Sequence, residues 1–565
     1  MNTTYSISVE IAPRAPREAA PGGRFCEEFS HSADLRAEYL CRGSLVVIGD
    51  AFHLDRLRPG LASEDTAARP LDALSTIARA CWGRFVAVAK DPETGEVAVY
   101  RDPSGMVPCY FGRSRSQVAI ATDAVSICRH LVMQPSIDWG GIANHLLAPD
   151  RRRRETCLAG IREILPGELV HITPDDARHD LLWKPGHHVG TRLNIPFVEA
   201  AELLEGHFSE AVAVWCERYP RPLIALSGGF DSSAITALAA RCGPVGLIQY
   251  FGKSPQADER SYARAVARHL GLELDAVFCD PGQVQVDWNL SAARPRPSAR
   301  AFTQSFDRHA ADKAAVLGAT AHFNGGGGDN VFGKLHSAYP LADRYLHSGL
   351  SRDLSGTAAD ICHATGASLP AVLRQAMAAV RTPDRGKSWP DTADLLSARA
   401  IAMRDDEPHP WIATQTPLWP GQRQLIRNIA RATAATDHLH IEGALPTIFP
   451  ILSQPLVELC LSLPTWVWLT GGQDRALARA AMKPYLPADI LGRRLKGAFD
   501  GLVYEIVDLH RARILADLRD GALAGEALID VDAVEHVLKA HGGKEAGIIR
   551  VLHLHEVEMW CRHWS

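Results

Sequence analysis

The sequence predicts an α/β protein with two domains: a first domain rich in β-strands, and a second with a parallel sheet and a helical C-terminal part. Short β-branched runs separated by turn residues occupy the chain before residue 180. Strands then alternate with helices up to about residue 324, as in βαβ units. A chain of 565 residues is also too long for one ordinary core. Because periodicity is lost around 181–196, we expect domains over residues 1–190 and 196–565.

The first domain should fold into antiparallel hairpins, because its apolar runs are closely spaced and turn residues such as those at 91–95 separate them. A helix is expected near 139–147, whereas residues 1–40 show little periodicity. The predicted strands lie at 45–48, 84–89, 96–100, 117–121 and 168–172.

The second domain should contain a parallel sheet covered by helices on both faces. An amphipathic helix at 197–215 leads into it, and the helix after the first strand ends at Gly243. The predicted strands are 223–226, 245–251, 272–278 and 320–324, and the helices between them are 234–241, 259–270 and 306–317. Since ligands of such sheets lie beyond the carboxyl ends of the strands, two glycine-rich segments should share one site.

The first of these segments joins a strand to a helix N-terminus by a short glycine turn. Backbone N–H groups and the helix dipole at such a terminus bind anions, and glycines let phosphate oxygens approach. The residues expected to hold a nucleotide phosphate are Leu226, Ser227, Gly228, Gly229, Asp231 and Ser232. A Walker loop is excluded because the segment has no lysine. An ordinary turn whose Ser and Asp cap the helix is the alternative interpretation.

The second segment, residues 324–333, contains four glycines followed by Asp329. A carboxylate beside a phosphate site indicates a cation between them, and Mg²⁺ binds one or two carboxylates together with phosphate oxygens. We therefore expect Asp231 and Asp329 to hold one Mg²⁺ against a pyrophosphate, with Gly325 lining the nucleotide site. A flexible loop capped by Asp329 is the alternative.

Composition excludes several classes of function. The formal charge is only −5, which does not favour a nucleic-acid or membrane surface. No stretch has the apolar length of a membrane span, and no signal peptide is visible. The 12 scattered cysteines show no close pair, which favours reduced thiols. We expect a cytoplasmic enzyme.

Several charged groups have more than one interpretation. Arg151 to Arg154 form a basic cluster that we interpret as a solvated loop, with a surface for an acidic peptide or partner as the alternative. Asp258 and Glu259 open a helix, where acids are favourable in any case, so a substrate or metal role stays open. His438 and His440 alternate like metal ligands, but no third ligand is in view.

Both loops resemble those of the asparagine synthetase family, and Ser-Gly-Gly-Phe-Asp-Ser resembles the loop of ATP pyrophosphatases (PP-loop). Residues 83–85, 101–108 and 159–167 resemble the glutaminase half of the same family. The resemblance implies an Ntn-hydrolase-like first domain. In that family the nucleophile is an N-terminal cysteine, but residue 2 here is Asn and Cys26 lies inside a predicted loop. We therefore expect an inactive glutaminase-like domain; an upstream start or processing before Cys26 is the alternative.

The resemblance resumes at residues 449–458, 474–479 and 486–499. It implies that Lys496 enters the active site and neutralises charge on the α-phosphate of ATP, with Arg493 and Arg494 as weaker candidates. By itself, this basic segment would be interpreted as a solvated patch. The expected catalytic set is Lys496, Asp231 and Asp329, with ATP and Mg²⁺ as cofactors.

The implied chemistry is adenylation of a carboxylate, followed by amide formation. The second loop has Gly326 where asparagine synthetases have Glu and β-lactam synthetases have Tyr, so the general base is unassigned. With an inactive glutaminase-like domain, the chain looks most like the lasso peptide cyclases, which close a macrolactam in a precursor peptide. The resemblance implies a leader peptidase and a leader-binding protein as partners. Alternatives are an asparagine or β-lactam synthetase-like enzyme on a small molecule, or a catalytically silent scaffold.

The segment from 340 to 430 has interrupted periodicity and a Pro- and Trp-rich cluster. We interpret it as a lid or a substrate-facing insertion. Trp411 and Trp419 are the expected contacts with the peptide.

Overall fold

A computed structural model describes most of the chain. The described residues are 4–10, 28–31, 35–54, 69–173, 175–189, 193, 195–254, 258–287, 293–298, 301–381, 389–413, 417–439, 445–494, 497, 500–539 and 547–565. The described cysteines all have free thiols, as the sequence predicted.

The first domain contains two antiparallel sheets, which confirms the predicted hairpins. One sheet has the order β2-β1-β8-β7-β9, and the other has the order β11-β10-β6-β5-β4-β3. The strands are β1 (Tyr5–Glu10), β2 (Glu28–His31), β3 (Ala37–Leu40), β4 (Leu45–His53), β5 (Cys81–Lys90), β6 (Val97–Arg101), β7 (Tyr110–Arg113), β8 (Gln117–Ala121), β9 (Ile161–Glu163), β10 (Glu168–Ile172) and β11 (Ala177–Leu181). Three helices accompany them: α1 (Pro70–Ala80), α2 (Ala124–Leu131) and α3 (Trp139–Leu147).

The two sheets pack face to face. Ile7 and Ile120 of one sheet share a core with Val86 and Val99 of the other. Helix α1 covers the outer face of the second sheet, which explains why nearly every residue of β5 is buried. Although residues 1–40 show little periodicity overall, they include β1, which pairs with both β2 and β8. Its alternation of Tyr, Ile and Val with serine is a strand signal, although a short one.

The sequence motifs of the first domain contact one another and so stabilise the fold of that domain. Arg101 donates hydrogen bonds to the carbonyl oxygens of Gly105 at 2.7 Å and Ile164 at 2.9 Å. A Cβ atom on Gly105 would lie 2.8 Å from Pro166, so this position needs glycine. Residues 101–108 and 159–167 therefore belong to one packed unit.

The second domain contains the predicted parallel sheet, in the order β14-β13-β12-β15-β16. Its elements are α4 (Phe197–Arg218), β12 (Pro222–Ala225), α5 (Phe230–Cys242), β13 (Gly246–Phe251), α6 (Arg260–Leu270), β14 (Asp275–Phe278), α7 (Gln304–Leu317), β15 (Ala321–Phe323) and β16 (Thr447–Ile448). From β12 the chain adds β13 and β14 on one side and later returns to place β15 on the other. Ligands of open α/β sheets bind at such a switch point.

The rest of the chain is mostly helical, as predicted. The helices are α8 (Gly328–Val331), α9 (Tyr339–Ser348), α10 (Asp353–Thr365), α11 (Leu369–Arg381), α12 (Ala398–Ala402), α13 (Pro420–Leu439), α14 (Gln454–Ser462), α15 (Ala476–Ala481), α16 (Ala488–Leu491), α17 (Asp500–Arg519), α18 (Ala522–Gly525), α19 (Val531–Lys539) and α20 (Gly547–Trp564). Among the described helices, none combines the length and the apolar character needed to cross a membrane.

The interpretation of Arg151 to Arg154 as a solvated loop is wrong. Each of these side chains is bound to another part of the chain. Their partners are the carbonyl oxygen of Asp405 for Arg151, Glu163 and the carbonyl oxygen of Ala434 for Arg152, the Asp405 carboxylate for Arg153, and Glu168 for Arg154. The basic run therefore connects the first domain to the helical part of the second.

The Trp-rich segment also serves this junction. Trp411 is only 1% exposed, and its ring lies 5.1 Å from that of Trp183, centroid to centroid. Its indole donates a hydrogen bond to the carbonyl oxygen of Pro166 at 3.0 Å. The expectation that Trp411 faces a peptide is therefore wrong, because the side chain is buried between the domains. Trp419 is partly exposed, and its ring lies near His347.

A buried carboxylate holds three arginines at this junction. Glu163 contacts Arg101 at 3.0 Å, Arg152 at 3.3 Å and Arg296 of the second domain at 2.9 Å. Burial by itself would raise the pKa of Glu163, but the arginines outweigh it and lower this pKa to about 2. The charged carboxylate is thus part of the folded structure.

Replacing Glu163 with Gln should destabilise the fold by about 3–5 kcal/mol, because three guanidinium groups lose their shared buried counter-charge. The control is Glu155→Gln, because Glu155 pairs with Arg162 at the surface, where both side chains are 47% exposed. That change should cost less than about 1 kcal/mol. Urea unfolding followed by circular dichroism measures the stability of both variants. Equal unfolding midpoints would contradict the stabilising role of Glu163 at the junction.

The same carboxylate predicts a pH dependence. The folded-state pKa of Glu163, about 2, lies below its ordinary value of 4.5, so the unfolded chain takes up this proton first. Its stabilising effect is complete above about pH 4.5 and is lost as the pH falls towards 2. Glu163→Gln should therefore remove part of the acid sensitivity of the wild type in that range.

Candidate active site

The first glycine loop lies at the carboxyl end of β12, at the switch point of the sheet. Leu226 is fully buried and continues the strand, since its N–H donates to the carbonyl oxygen of Ile248 at 2.9 Å. Gly228 follows with φ +81°. A Cβ atom on Gly228 would lie 2.9 Å from the backbone nitrogen of Ala263 and 3.0 Å from the carbonyl oxygen of Glu259. Only glycine fits between the loop and α6.

Two serines shape this loop from inside. The Ser232 hydroxyl accepts a hydrogen bond from the N–H of Ser227 at 3.2 Å, and the two hydroxyls lie 3.1 Å apart. The N–H of Gly229 donates to the Ser227 hydroxyl at 3.3 Å. Helix α5 begins immediately afterwards, so its first N–H groups, which lack partners within the helix, are directed toward the loop. The predicted strand, turn and helix are all present.

The second glycine loop touches the first. A Cβ atom on Gly325 would lie 3.0 Å from the backbone nitrogen of Ser232. On Gly328 it would lie 2.2 Å from the carboxyl carbon of Asp231. The run of glycines therefore allows the loop after β15 to pack against the start of α5. This packing brings Asp329, in α8, near Asp231, as predicted.

Arg475 lies between the two carboxylates. One of its guanidinium nitrogens is 3.0 Å from Asp231 Oδ1, 3.1 Å from Asp231 Oδ2 and 2.7 Å from Asp329 Oδ1. Burial disfavours the charge of Arg475, but Asp231, Asp329 and Asp474 outweigh it and raise the pKa of the guanidinium. Its backbone has φ +52°, a conformation that residues other than glycine rarely adopt. This strained residue was not predicted from the sequence.

The position of Arg475 tests whether one cation fits between the acids. Both carboxylates lie within 3.1 Å of the same nitrogen, so a single positive centre does contact both. The guanidinium fills the space between the two carboxylates. Across the described ranges, no group of three or more His, Cys, Asp or Glu side chains could hold a metal ion. Two carboxylates alone would hold a Mg²⁺ only together with other oxygen ligands, such as those of a phosphate.

Asp474 and Arg479 complete this cluster. Arg479 donates to Asp474 at 2.8 Å and to the carbonyl oxygens of Leu491 and Arg493 at 2.7 and 2.9 Å. Burial would raise the pKa of Asp474, but Arg475 and Arg479 hold it below its ordinary value. Arg475, directly before α15, and Arg479, within it, were the sequence signal for this cluster, and its role becomes clear only when their carboxylate partners are known.

The basic segment after α16 is fastened to the first loop. Arg493 donates to the carbonyl oxygen of Gly228 at 2.9 Å and forms an ion pair with Glu259. The N–H of Gly497 donates to the same Glu259 carboxylate at 2.7 Å. Glu259 thus positions this segment. The sequence had left open whether Glu259 has a substrate or metal role, and in the structure its carboxylate binds Arg493 and Gly497. Lys496 lies outside the described residues.

The remaining candidates are Asp258, Arg494, Cys26 and the two histidines at 438 and 440. Asp258 binds Arg260 at 2.7 Å, and this hydrogen-bonded pair lowers the pKa of Asp258 to about 2, which fits a helix-start role. Cys26 and His440 lie outside the described residues, and the structure describes no side chain for His438. Arg494 contacts His363 at 3.3 Å.

Comparison with protein families agrees with this site. Residues 203–562 match the family model described as asparagine synthase, and residues 74–183 match the one described as glutamine amidotransferase domain. The first match covers more than half of the chain and includes both glycine loops and Arg475.

Two curated proteins are similar over part of the chain. Asparagine synthetase [glutamine-hydrolyzing] 3 of Bacillus subtilis is 25% identical over 174 residues, which are 31% of this chain and 27% of that protein. Carboxyethyl-arginine beta-lactam-synthase of Streptomyces clavuligerus is 30% identical over 192 residues, which are 33% of this chain and 34% of that protein. The alignments thus span about a third or less of these relatives.

Two solved structures are distantly similar. The allosteric regulatory enzyme of purine biosynthesis gives a TM-score of 0.19 at 11% identity and covers 50% of this chain and 76% of that chain. Glutamine phosphoribosylpyrophosphate amidotransferase from B. subtilis gives 0.18 at 10% identity, with 42% and 71% covered. Values this low carry no structural argument. It is the match over residues 203–562 that assigns this chain to the asparagine synthase family.

Proposed function

We propose that this protein is an ATP-dependent, AMP-forming amide ligase. The observation that supports the proposal best is the pair of glycine loops at the switch point, whose acids Asp231 and Asp329 contact one cationic nitrogen of Arg475. The phosphates of a nucleoside triphosphate need a site where backbone N–H groups and positive charge contact them. Residues 226–232 then act as the ATP pyrophosphatase loop.

The proposed reaction has two steps. An oxygen of the substrate carboxylate attacks the α-phosphorus of ATP, and the bond to the bridging oxygen breaks, which releases pyrophosphate. The amine then attacks the acyl carbon, AMP leaves with its oxygen, and the amine loses a proton to a base that is not yet assigned. Mg²⁺, when bound, would neutralise the leaving pyrophosphate. The N–H groups at the start of α5 bind phosphate oxygens, and the buried Arg475 keeps the two acids together.

Lys496 is proposed to neutralise the charge that develops on the α-phosphate. Its neighbour Gly497 is bound to Glu259, and Arg493 is bound to Gly228 of the phosphate loop. These contacts support a place for the segment beside the loop. The proposed catalytic set is therefore Lys496, Asp231 and Asp329.

The substrate proposed is a leaderless precursor peptide, as in lasso peptide cyclases. The enzyme would adenylate an Asp or Glu side chain and join it to the N-terminal amine of the peptide as a macrolactam. Gly326 supports this, because it provides no side chain that could act as the base of the small-molecule enzymes. A leader peptidase and a leader-binding protein would supply the peptide. Similarity to a beta-lactam-synthase favours a small-molecule amide former as the second candidate.

Mass spectrometry should distinguish the two candidates. With ATP, Mg²⁺, a precursor peptide and its peptidase, we expect the core peptide to lose one water while AMP appears in equal amount. If AMP forms with aspartate and ammonia, or with a small β-amino acid and no peptide, the substrate is a small molecule. If neither reaction produces AMP, the ligase proposal fails.

Asp231→Ala and Asp329→Ala should each abolish AMP formation, since a carboxylate beside the phosphates is lost. Asp508→Ala is the control, because Asp508 is 54% exposed and pairs only locally with Arg511. Asp329→Asn gives a milder test: the Mg²⁺ concentration for half-maximal AMP formation should rise. Substantial AMP formation by either alanine variant would exclude the metal assignment.

Lys496→Ala should still bind ATP but form AMP about 10²–10³ times more slowly, because one stabilising charge is lost in the transition state. Lys483→Ala is the matched control, since Lys483 is an exposed lysine of the same region. Calorimetric ATP binding and AMP release should be measured on the same preparations. A loss of binding equal to the loss of rate would assign Lys496 to ground-state binding.

A further inference from the structure

Helices α9, α10 and α11 enclose a large apolar cleft. They share a small core of their own, to which Leu341, Ile361 and Val372 contribute. The cleft between them has a volume of about 760 Å³ and opens to solvent. Leu, Ala, Val and Met side chains line most of it, and among the described residues its lining includes no Asp, Glu, Lys or Arg.

The cleft exposes several large aliphatic side chains side by side. Leu369 and Leu373 are each 50% exposed, Met377 is 41% exposed and Leu350 is 91% exposed. On α11 the first three are spaced four residues apart, so they lie on one face of the helix. Single exposed aliphatic residues are ordinary, but a contiguous patch of them marks a binding surface.

One end of this cleft adjoins the candidate active site. His363, which lines the cleft, packs against Gly472, where an added Cβ atom would lie 2.6 Å from His363 Cβ. Gly472 precedes Arg475 by three residues, and three residues of extended chain span at most about 11 Å. The His363 ring also contacts Arg494, in the segment that Glu259 holds at the phosphate loop.

The lining decides which ligand fits. A free amino acid carries two opposite charges, and the described lining of the cleft has no Asp, Glu, Lys or Arg side chain to pair with either. Its volume lies in the upper part of the range of about 300–1,000 Å³ that is typical of ligand pockets, which is far more than aspartate requires. Several adjacent aliphatic or aromatic side chains of a peptide would fill it.

We propose that the cleft between α9, α10 and α11 binds an apolar stretch of the substrate peptide and so holds its carboxylate at the neighbouring adenylation site. The inference rests on the proposed function and adds to it a place and a chemical requirement for the peptide. Burial of the exposed leucines and Met377 would supply the affinity.

Selection from a library of random linear peptides, each with a free N-terminus and one internal Asp, tests this proposal. Peptides retained by the wild-type protein should share an apolar run. The affinity of a labelled peptide from the selection, measured by fluorescence anisotropy, should fall at least about 10-fold in Leu373→Asp and in Met377→Asp, which corresponds to about 1.4 kcal/mol. The control Leu509→Asp changes a leucine that is 60% exposed on α17 and should leave the affinity unchanged.

Retained peptides without an apolar run, or equal affinity in the cleft variants, would overturn the proposal. It would also be overturned if Leu373→Asp converted a dimer into a monomer without changing peptide affinity, because the cleft would then be an interface between two copies. AMP release from the same samples separates the two proposals. Apolar peptides that bind in the cleft without AMP release leave docking intact and contradict the ligase, whereas AMP formation with an unchanged KM in Leu373→Asp contradicts docking alone.

Discussion

The contact of Arg475 with Asp231 and Asp329 connects the parts of the second domain that have to act together. Asp231 belongs to the helix after β12, Asp329 to the short helix after β15, and Arg475 to a segment more than 140 positions further along the chain. Without a positive centre, two carboxylates this close would repel each other in a largely buried place. Glycine is also needed in both loops, because a Cβ atom on Gly228 would meet the backbone nitrogen of Ala263 and one on Gly328 would meet the Asp231 side chain.

This arrangement gives the site its chemical character. A guanidinium between two acids fixes their spacing, so the site is organised in advance. The αL conformation of Arg475 shows that this residue is held there at a cost in backbone energy. Asp474 and Arg479, which bind each other, extend this hydrogen-bond network to the segment around Arg493.

The first domain packs against the second through a buried junction. Its motif residues are used in internal contacts, and Glu163 gathers arginines from both domains into one buried cluster. Trp183 and Trp411 close the same junction. The insertion between residues 340 and 430 therefore does two things. Its tryptophans at 389 and 411 pack toward the first domain, and its three helices leave an apolar cleft between them.

The sequence by itself determined the order of strands and helices in the second domain, the two glycine loops and the placing of Asp231 beside Asp329. These features depend on short-range patterns: apolar periodicity, glycine turns and the common edge of parallel strands. Tertiary structure alone decided the rest. Whether Arg152 is solvated, whether Trp411 is exposed, and which cation lies between the acids depend on partners more than a hundred residues away in the chain, such as Ala434, Pro166 and Arg475. A local pattern shows that a residue is charged or apolar, but only the folded chain shows what that residue contacts.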